Sequence, residues 1–286
     1  MAQDLLQFTL AGLTNGAIYA LIALGFSVVH NTMGIVNFTQ VDFVSLGGML
    51  MFTALITFGV PTLPGVFLAV TGVALIAMLV ERFGLRPARS HNHLVLIFLT
   101  IGISIILRGG MKLIWGTNRM AVPPLSGEQP INLLGATILP QALWILGLTM
   151  GVIVLLHWFF HHTPMGLTVR AAASNPTAAA VVGIAPQRIR LLSFAIAGAL
   201  GGLAGVLVTP ITTLSYDVGV LLGLKGFAAA ILGGFGSFPG AIIGGVSLGL
   251  LESLSAGYIS SAYKDVVAFV VLLLVLFVRP KGLLGK

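Results

Sequence analysis

Long apolar runs separated by short polar breaks dominate the chain from end to end. Residues 5–41 contain no charged side chain, and 8–29 alone is long enough to cross about 30 Å of hydrocarbon as a helix. Comparable runs follow at about 35–58, 63–79, 94–115, 139–160, 191–214, 241–257 and 266–278. Residues 218–234 are apolar too, but they carry Lys225 and stop at the glycine-rich stretch 233–240. That run reads either as a short span or as a half-helix that ends inside protein, where its freed backbone groups would need partners. The pattern predicts an all-α integral membrane protein, a polytopic helical bundle of eight to nine transmembrane segments, some broken or re-entrant. Residues 1–286 form one transmembrane domain on this reading.

The second run opens with a polar cluster: Asn37, Thr39, Gln40, Asp42 and Ser45. On a continuous helix Asn37, Gln40, Ser45 and Gly48 share an arc of about 140°, with Asp42 flanking it. An ionised carboxylate near the bilayer centre costs at least ~2.5–3.5 kcal/mol, so this face must meet other helices or a wet cavity. It reads as an interhelical hydrogen-bond patch or as the wall of a solute pathway. Asn37, Gln40 and Asp42 are the pathway candidates; Lys225 is a further one, with a snorkelling or structural role as the alternative. Arg108 and Lys112, spaced i, i+4 in the last turns of the fourth run, are expected to snorkel outward. Gly12 and Gly16 form a small-xxx-small pair suited to close helix packing.

The longest polar interlude, 165–190, has Arg170, Arg188 and Arg190 and no acidic residue. It carries helix punctuation: Asn175 suits an N-cap, Pro176 the first helical position and Gly183 the C′ position, which predicts a short helix over 176–182.

Composition narrows the class. Hydrophobic residues make up 57% and charged residues 7% of the chain, with 37 glycines, a balance that excludes an ordinary soluble domain. The net charge of +7 reflects loops rather than nucleic-acid binding. Nine of the fourteen Lys and Arg lie in 82–89, in 165–190 and in the tail, where the only nearby acid is Glu81. The positive-inside rule makes those regions, and the C-terminus, cytoplasmic. Nine segments then put the N-terminus outside, and the proline-containing stretch 118–138 becomes an irregular external loop. The first residues lack a basic n-region, so the first run is expected to stay as a span.

Several chemistries lack their residues. There is no cysteine, no Walker A loop, no H-E-x-x-H and no G-x-S-x-G. His161 and His162 are adjacent and lack the i, i+4 partner that a shared metal site would want, so no metal is expected. A chain with a polar inner face and no catalytic constellation points to transport. An ion-coupled carrier or channel acting alone is the competing class, with Asp42 and Glu252 as its carboxylates.

Six regions carry a resemblance: 15–25, Gly34-Ile-Val-Asn-Phe38, Glu81-Arg82 with Arg86-Pro87, Arg170-Ala171 with Gly183-Ile184, 224–241, and Arg279-Pro-Lys-Gly near the end. Together, in this order and over almost the whole chain, they resemble the LivH-like permeases of branched-chain amino acid ABC importers. The resemblance implies a bacterial plasma (inner) membrane importer with a second homologous permease, two cytoplasmic ATPases and an extracytoplasmic solute-binding protein. ATP and Mg would be used by those ATPases, and this chain would hold no cofactor. It further implies that the 176–182 helix couples to an ATPase, with Arg170, Asn175, Pro176, Ala179, Gly183 and Ile184 forming or bracing the contact. The family's Asn-Phe-Ala-His-Gly before an acidic residue becomes Asn37-Phe-Thr-Gln-Val-Asp42 here. That departure leaves the solute open among branched-chain amino acids, urea, amides and aromatic carboxylates.

Overall fold

The apolar runs fold as helices in the computed structural model, which describes residues 2–88, 92–127, 129–133 and 135–285. Arg89 and Lys286, counted above among the basic residues, lie outside the described residues. In chain order the helices are α1 (Ala2–Met33), α2 (Gln40–Phe52), α3 (Thr62–Leu79), α4 (His93–Trp115), α5 (Pro140–His162), α6 (Pro164–Ser174), α7 (Pro176–Val181), α8 (Pro186–Val208), α9 (Val218–Gly233), α10 (Phe238–Tyr258) and α11 (Lys264–Val278). π-helical turns extend α2 over Thr53–Thr57 and α3 over Val80–Leu85. Seven of these segments are long and apolar enough to cross a membrane, and the shorter apolar α9 and α11 run beside them, which brings the bundle to nine.

Long-range contacts define two ends. At the basic end Arg86 bonds Gln187 at the start of α8, and Asn31 Nδ2 near the end of α1 donates to the Gly236 carbonyl at 2.8 Å. The C-terminal tail returns to the same end, where the Leu283 and Leu284 amides donate to the Leu232 and Gly233 carbonyls at 2.9 Å. The tail thereby satisfies carbonyls that the end of α9 would otherwise leave orphaned. At the far end Trp115 Nε1 donates to Thr53 Oγ1 at 2.8 Å, and Ser253 Oγ of α10 donates to the Phe8 carbonyl of α1 at 2.7 Å. The 118–138 stretch also lies there. It is less irregular than its prolines suggest, because β1 (Ile131–Leu133) and β2 (Ala136–Ile138) form a hairpin with Ile131 opposite Ile138. Gln7 of α1 anchors it at Thr137, donating to its carbonyl at 2.9 Å and accepting from its amide at 2.7 Å.

α1 is the axis of the core. Its residues from Ala17 to Val29 are almost all buried, and Gly12 and Gly16 lie against Gly249 and Gly245 of α10, so backbones meet as small-xxx-small spacing predicts. α8 packs on α2 and α3, while α4 and α5 stand at the periphery with many exposed apolar side chains.

The second apolar run departs most from expectation. It is not one helix over 35–58: α1 ends at Met33, Gly34 turns with φ +68°, and no helix resumes until Gln40. The Phe38 amide donates to Thr100 Oγ1 at 3.1 Å, seven residues into α4. At 1.5 Å per residue that is about 10 Å from the start of α4, so the unwound segment climbs inside the bundle and α2 begins there. Non-helical backbone at such depth needs internal partners. Thr100 supplies one, and the Asn37 and Thr39 carbonyls accept from the Gln40 and Asp42 amides at 3.2 and 3.1 Å. Asn37 therefore precedes the helix, and the arc drawn through it does not exist. The alternative at 218–234 resolves as a short span, since α9 runs from beside Leu214 at the far end down to the tail.

Candidate functional site

Around the start of α2 the polar cluster is enclosed by this chain alone. Asn37, Thr39 and Gln40 are fully buried and Asp42 is 1% exposed. Asn37 Oδ1 accepts from the Thr39 amide at 3.2 Å and from its hydroxyl at 2.6 Å, which holds the unwound turn. Gln40 Nε2 donates to the Ala197 carbonyl of α8 at 3.1 Å, threading between Gly25 of α1 and Gly201 of α8. Asp42 Oδ1 accepts from Arg108 Nε at 2.9 Å, and Arg108 Nη2 donates to Ser104 Oγ at 2.7 Å. Asn37 Nδ2, Gln40 Oε1 and Asp42 Oδ2 stay buried without a hydrogen-bond partner. Each such group costs about 1–3 kcal/mol, so the fold concentrates uncompensated polarity at one spot.

Arg108 corrects an expectation. It does not snorkel, because its guanidinium is drawn back to Ser104, one turn nearer the basic end, and sideways to Asp42. Lys112 does sit at the far end, its ammonium 5.9 Å from the Tyr216 ring centroid. Sequence reading missed Thr100, Ser104 and Arg108 as a set. Their four-residue spacing, which stacks them on one face of α4, was the available signal.

Lys225 joins a different cluster. Its Nζ donates to Glu252 Oε1 at 2.8 Å and lies 2.7 Å from Asp265 Oδ1, while Tyr19 OH donates to Glu252 Oε2 at 2.6 Å. Lys264 Nζ is 3.5 Å from Glu252. Two cations and two carboxylates, with Tyr19, thus tie α1, α9, α10 and α11 together. Lys225 is 6% exposed and its described bonds lie in this second cluster, apart from the Asn37–Asp42 group.

At the basic end the interlude folds as two helices where one was expected. Thr163 caps α6, its Oγ1 accepting from the Gly166 amide at 3.0 Å, and Asn175 Oδ1 caps α7 by accepting from the Ala178 amide at 2.9 Å. Pro176 stands at the first helical position. The other end of α7 is a Schellman motif: the Ile184 amide donates to the Ala179 carbonyl at 3.0 Å and the Gly183 amide to the Ala180 carbonyl at 3.1 Å, with Gly183 at φ +89°. Arg170, Asn175, Val181 and Val182 are exposed, whereas Ala179 is 5% exposed and packs inward with Ala172 and Ile189. Ala179 braces this surface and does not present it. Behind it lies a cavity of about 1170 Å³, lined among others by His30, Arg86, His93, Ala179, Ile184 and Arg190. Glu81, 1% exposed, sits near it with its Oε1 4.0 Å from Arg190 Nε.

Relatives match nearly the whole length of this chain. The family described as branched-chain amino acid transport system, permease component, matches residues 8–276. The permease LivH of Salmonella typhimurium, named as high-affinity branched-chain amino acid transport, is 36% identical, over 98% of this chain and 96% of the relative. BraD of Pseudomonas aeruginosa, of the same description, is 35% identical with the same coverage. A probable LivH of Methanocaldococcus jannaschii is 30% identical over 93% of this chain and 88% of its own. With a family match over nearly its full length and a bundle of membrane-crossing helices, the chain belongs to the permease components of branched-chain amino acid transport systems.

Proposed function

We propose that this chain is the membrane-spanning permease subunit of an ATP-binding-cassette importer. It passes a branched-chain amino acid, or a related small solute, delivered by an extracytoplasmic binding protein. A second homologous permease completes the passage. Two cytoplasmic ATPases, using ATP and Mg, dock at the basic end, which faces the cytoplasm together with the C-terminus. The observation that carries this reading is α7, a helix capped at both ends that offers Val181 and Val182 to solvent, 84% and 75% exposed, on the most basic part of the molecule. Apolar side chains displayed on a capped, polar-flanked helix suit a protein partner better than lipid or water.

The buried carboxylates favour the importer over an ion-coupled carrier. Asp42 is engaged by Arg108 and Glu252 by Lys225, so neither is free to bind a coupling cation. The test is uptake of labelled leucine into proteoliposomes holding both permeases, with the binding protein outside and ATP on the ATPase side. Uptake should require ATP and both ATPases. Uptake that persists after the ATPases are stripped away overturns the proposal.

A further inference from the structure

Arg108 is an arginine set inside a membrane segment and held away from the membrane surface. It lies fifteen residues from the start of α4 and seven from its end, so by rise per residue it is about 22 Å from the basic end and about 10 Å from the far end. Its guanidinium is pinned by Asp42 and Ser104, which bars the usual escape along the side chain to the far surface. Two of its five N–H donors are taken by these bonds. The side chain is nevertheless 31% exposed, while Asp42 behind it is 1% exposed. Arg108 stands at the edge of an apolar, open face of α4: Ile105, about 60° round the helix from it, is 62% exposed, and nothing lies within 4 Å of a Cβ built at Gly102 or Gly109 beyond.

Guanidinium N–H donors left over at this depth cannot face lipid without a penalty, even with the charge paired, so the exposed side of Arg108 must meet a polar or wet surface. Its planar fork matches a carboxylate. Asp42 balances the charge of Arg108 but takes only its Nε–H, and with Nη2 on Ser104 the guanidinium keeps further N–H donors for a second acceptor.

We propose that Arg108 lines the solute pathway at the edge of the open face of α4 and takes the carboxylate of the passing solute. Asp42 and Ser104 act as positioning residues behind it. This deepens the importer reading and rests on it: the solute class becomes small carboxylates, amino acids included, and excludes neutral urea and simple amides. Asn37, Gln40 and Asp42 then stand behind the wall and do not line it.

The experiment uses the assembled importer in proteoliposomes with labelled leucine, benzoate and urea. Arg108→Gln should lower carboxylate uptake at least tenfold. Arg108→Gln with Asp42→Asn, which leaves no unpaired buried charge, should stay as low; recovery to within twofold of the wild type means that Arg108 only neutralises Asp42, and overturns the proposal. The chain has no cysteine, so Arg108→Cys gives this subunit a single thiol, and labelling is read on this subunit. A membrane-impermeant cationic thiosulfonate should label it and restore uptake several-fold, and its anionic counterpart should label without restoring. Absence of labelling in the assembled importer overturns the pathway placement. ATP-driven uptake of urea and of neither carboxylate overturns the carboxylate assignment and leaves the importer intact, whereas uptake independent of the ATPases sinks the importer reading itself.

Discussion

Lys225 Nζ lies 2.8 Å from Glu252 Oε1 with both side chains almost wholly enclosed, 7% and 4% exposed. Removing one member of a buried pair strands the other, a loss of about 3–5 kcal/mol, whereas removing both is far less damaging. Lys225→Met should therefore lower the thermal unfolding temperature of the detergent-solubilised chain clearly. Lys225→Met with Glu252→Leu should recover most of that loss, because Lys264 and Asp265 remain as one cation and one carboxylate. A double variant no more stable than the single one would show that the cluster holds the four helices by more than charge balance.

On α7 the two kinds of position should behave differently. Val181 is 84% exposed, so Val181→Asp should leave the bundle folded while reducing ATP-driven uptake at least tenfold, with ATPase activity no longer stimulated by loaded binding protein. Ala179→Glu puts a charge where the side chain is 5% exposed and should instead loosen α7 itself. Hydrogen exchange over 176–182 separates the outcomes: unchanged in the first variant, faster in the second.

Asn175 Oδ1 supplies the N-cap of that helix. Asn175→Ala should cost about 1 kcal/mol of local stability, the usual worth of such a cap. Hydrogen exchange in α7 should rise about fivefold, while the unfolding temperature of the whole bundle stays unchanged.

What the sequence made legible follows the range of the interactions. The α7 helix was readable because its cap, proline and glycine sit within ten residues of one another. The bundle and its nine runs were readable because lipid imposes a length and a polarity on every segment. The break before Gln40 was not, since residues 35–58 look like an unbroken span and the bond that holds the break, Phe38 to Thr100, crosses 62 positions. For the same reason Arg108 passed as a snorkelling residue beside Lys112: its partner Asp42 is 66 positions away. The polar cluster is legible in the sequence, but its enclosure by α4 and α8 is not, because only the fold brings those helices alongside.

The seating of α2 yields a last prediction, because a helix that starts inside the bundle must be held by its neighbours. α8 holds it through backbone proximity: a Cβ built at Gly205 would fall on the Val44 carbonyl oxygen, and one at Gly47 on the Gly202 carbonyl. Neither neighbour is the flexible end of a side chain, so the helices must separate to admit a methyl group. Overpacking of this kind costs typically about 1–3 kcal/mol. Gly205→Ala should lower the unfolding temperature and, by shifting α2, disturb the Asp42–Arg108 pair and slow uptake. Gly147→Ala on α5 is the control, since nothing lies within 4 Å of its Cβ position in the single chain. That variant should leave the unfolding temperature of the isolated subunit unchanged. If the two alanines were equally harmless, α2 would be held by its side chains alone, and the close approach of the two backbones would have no part in keeping Asp42 behind Arg108.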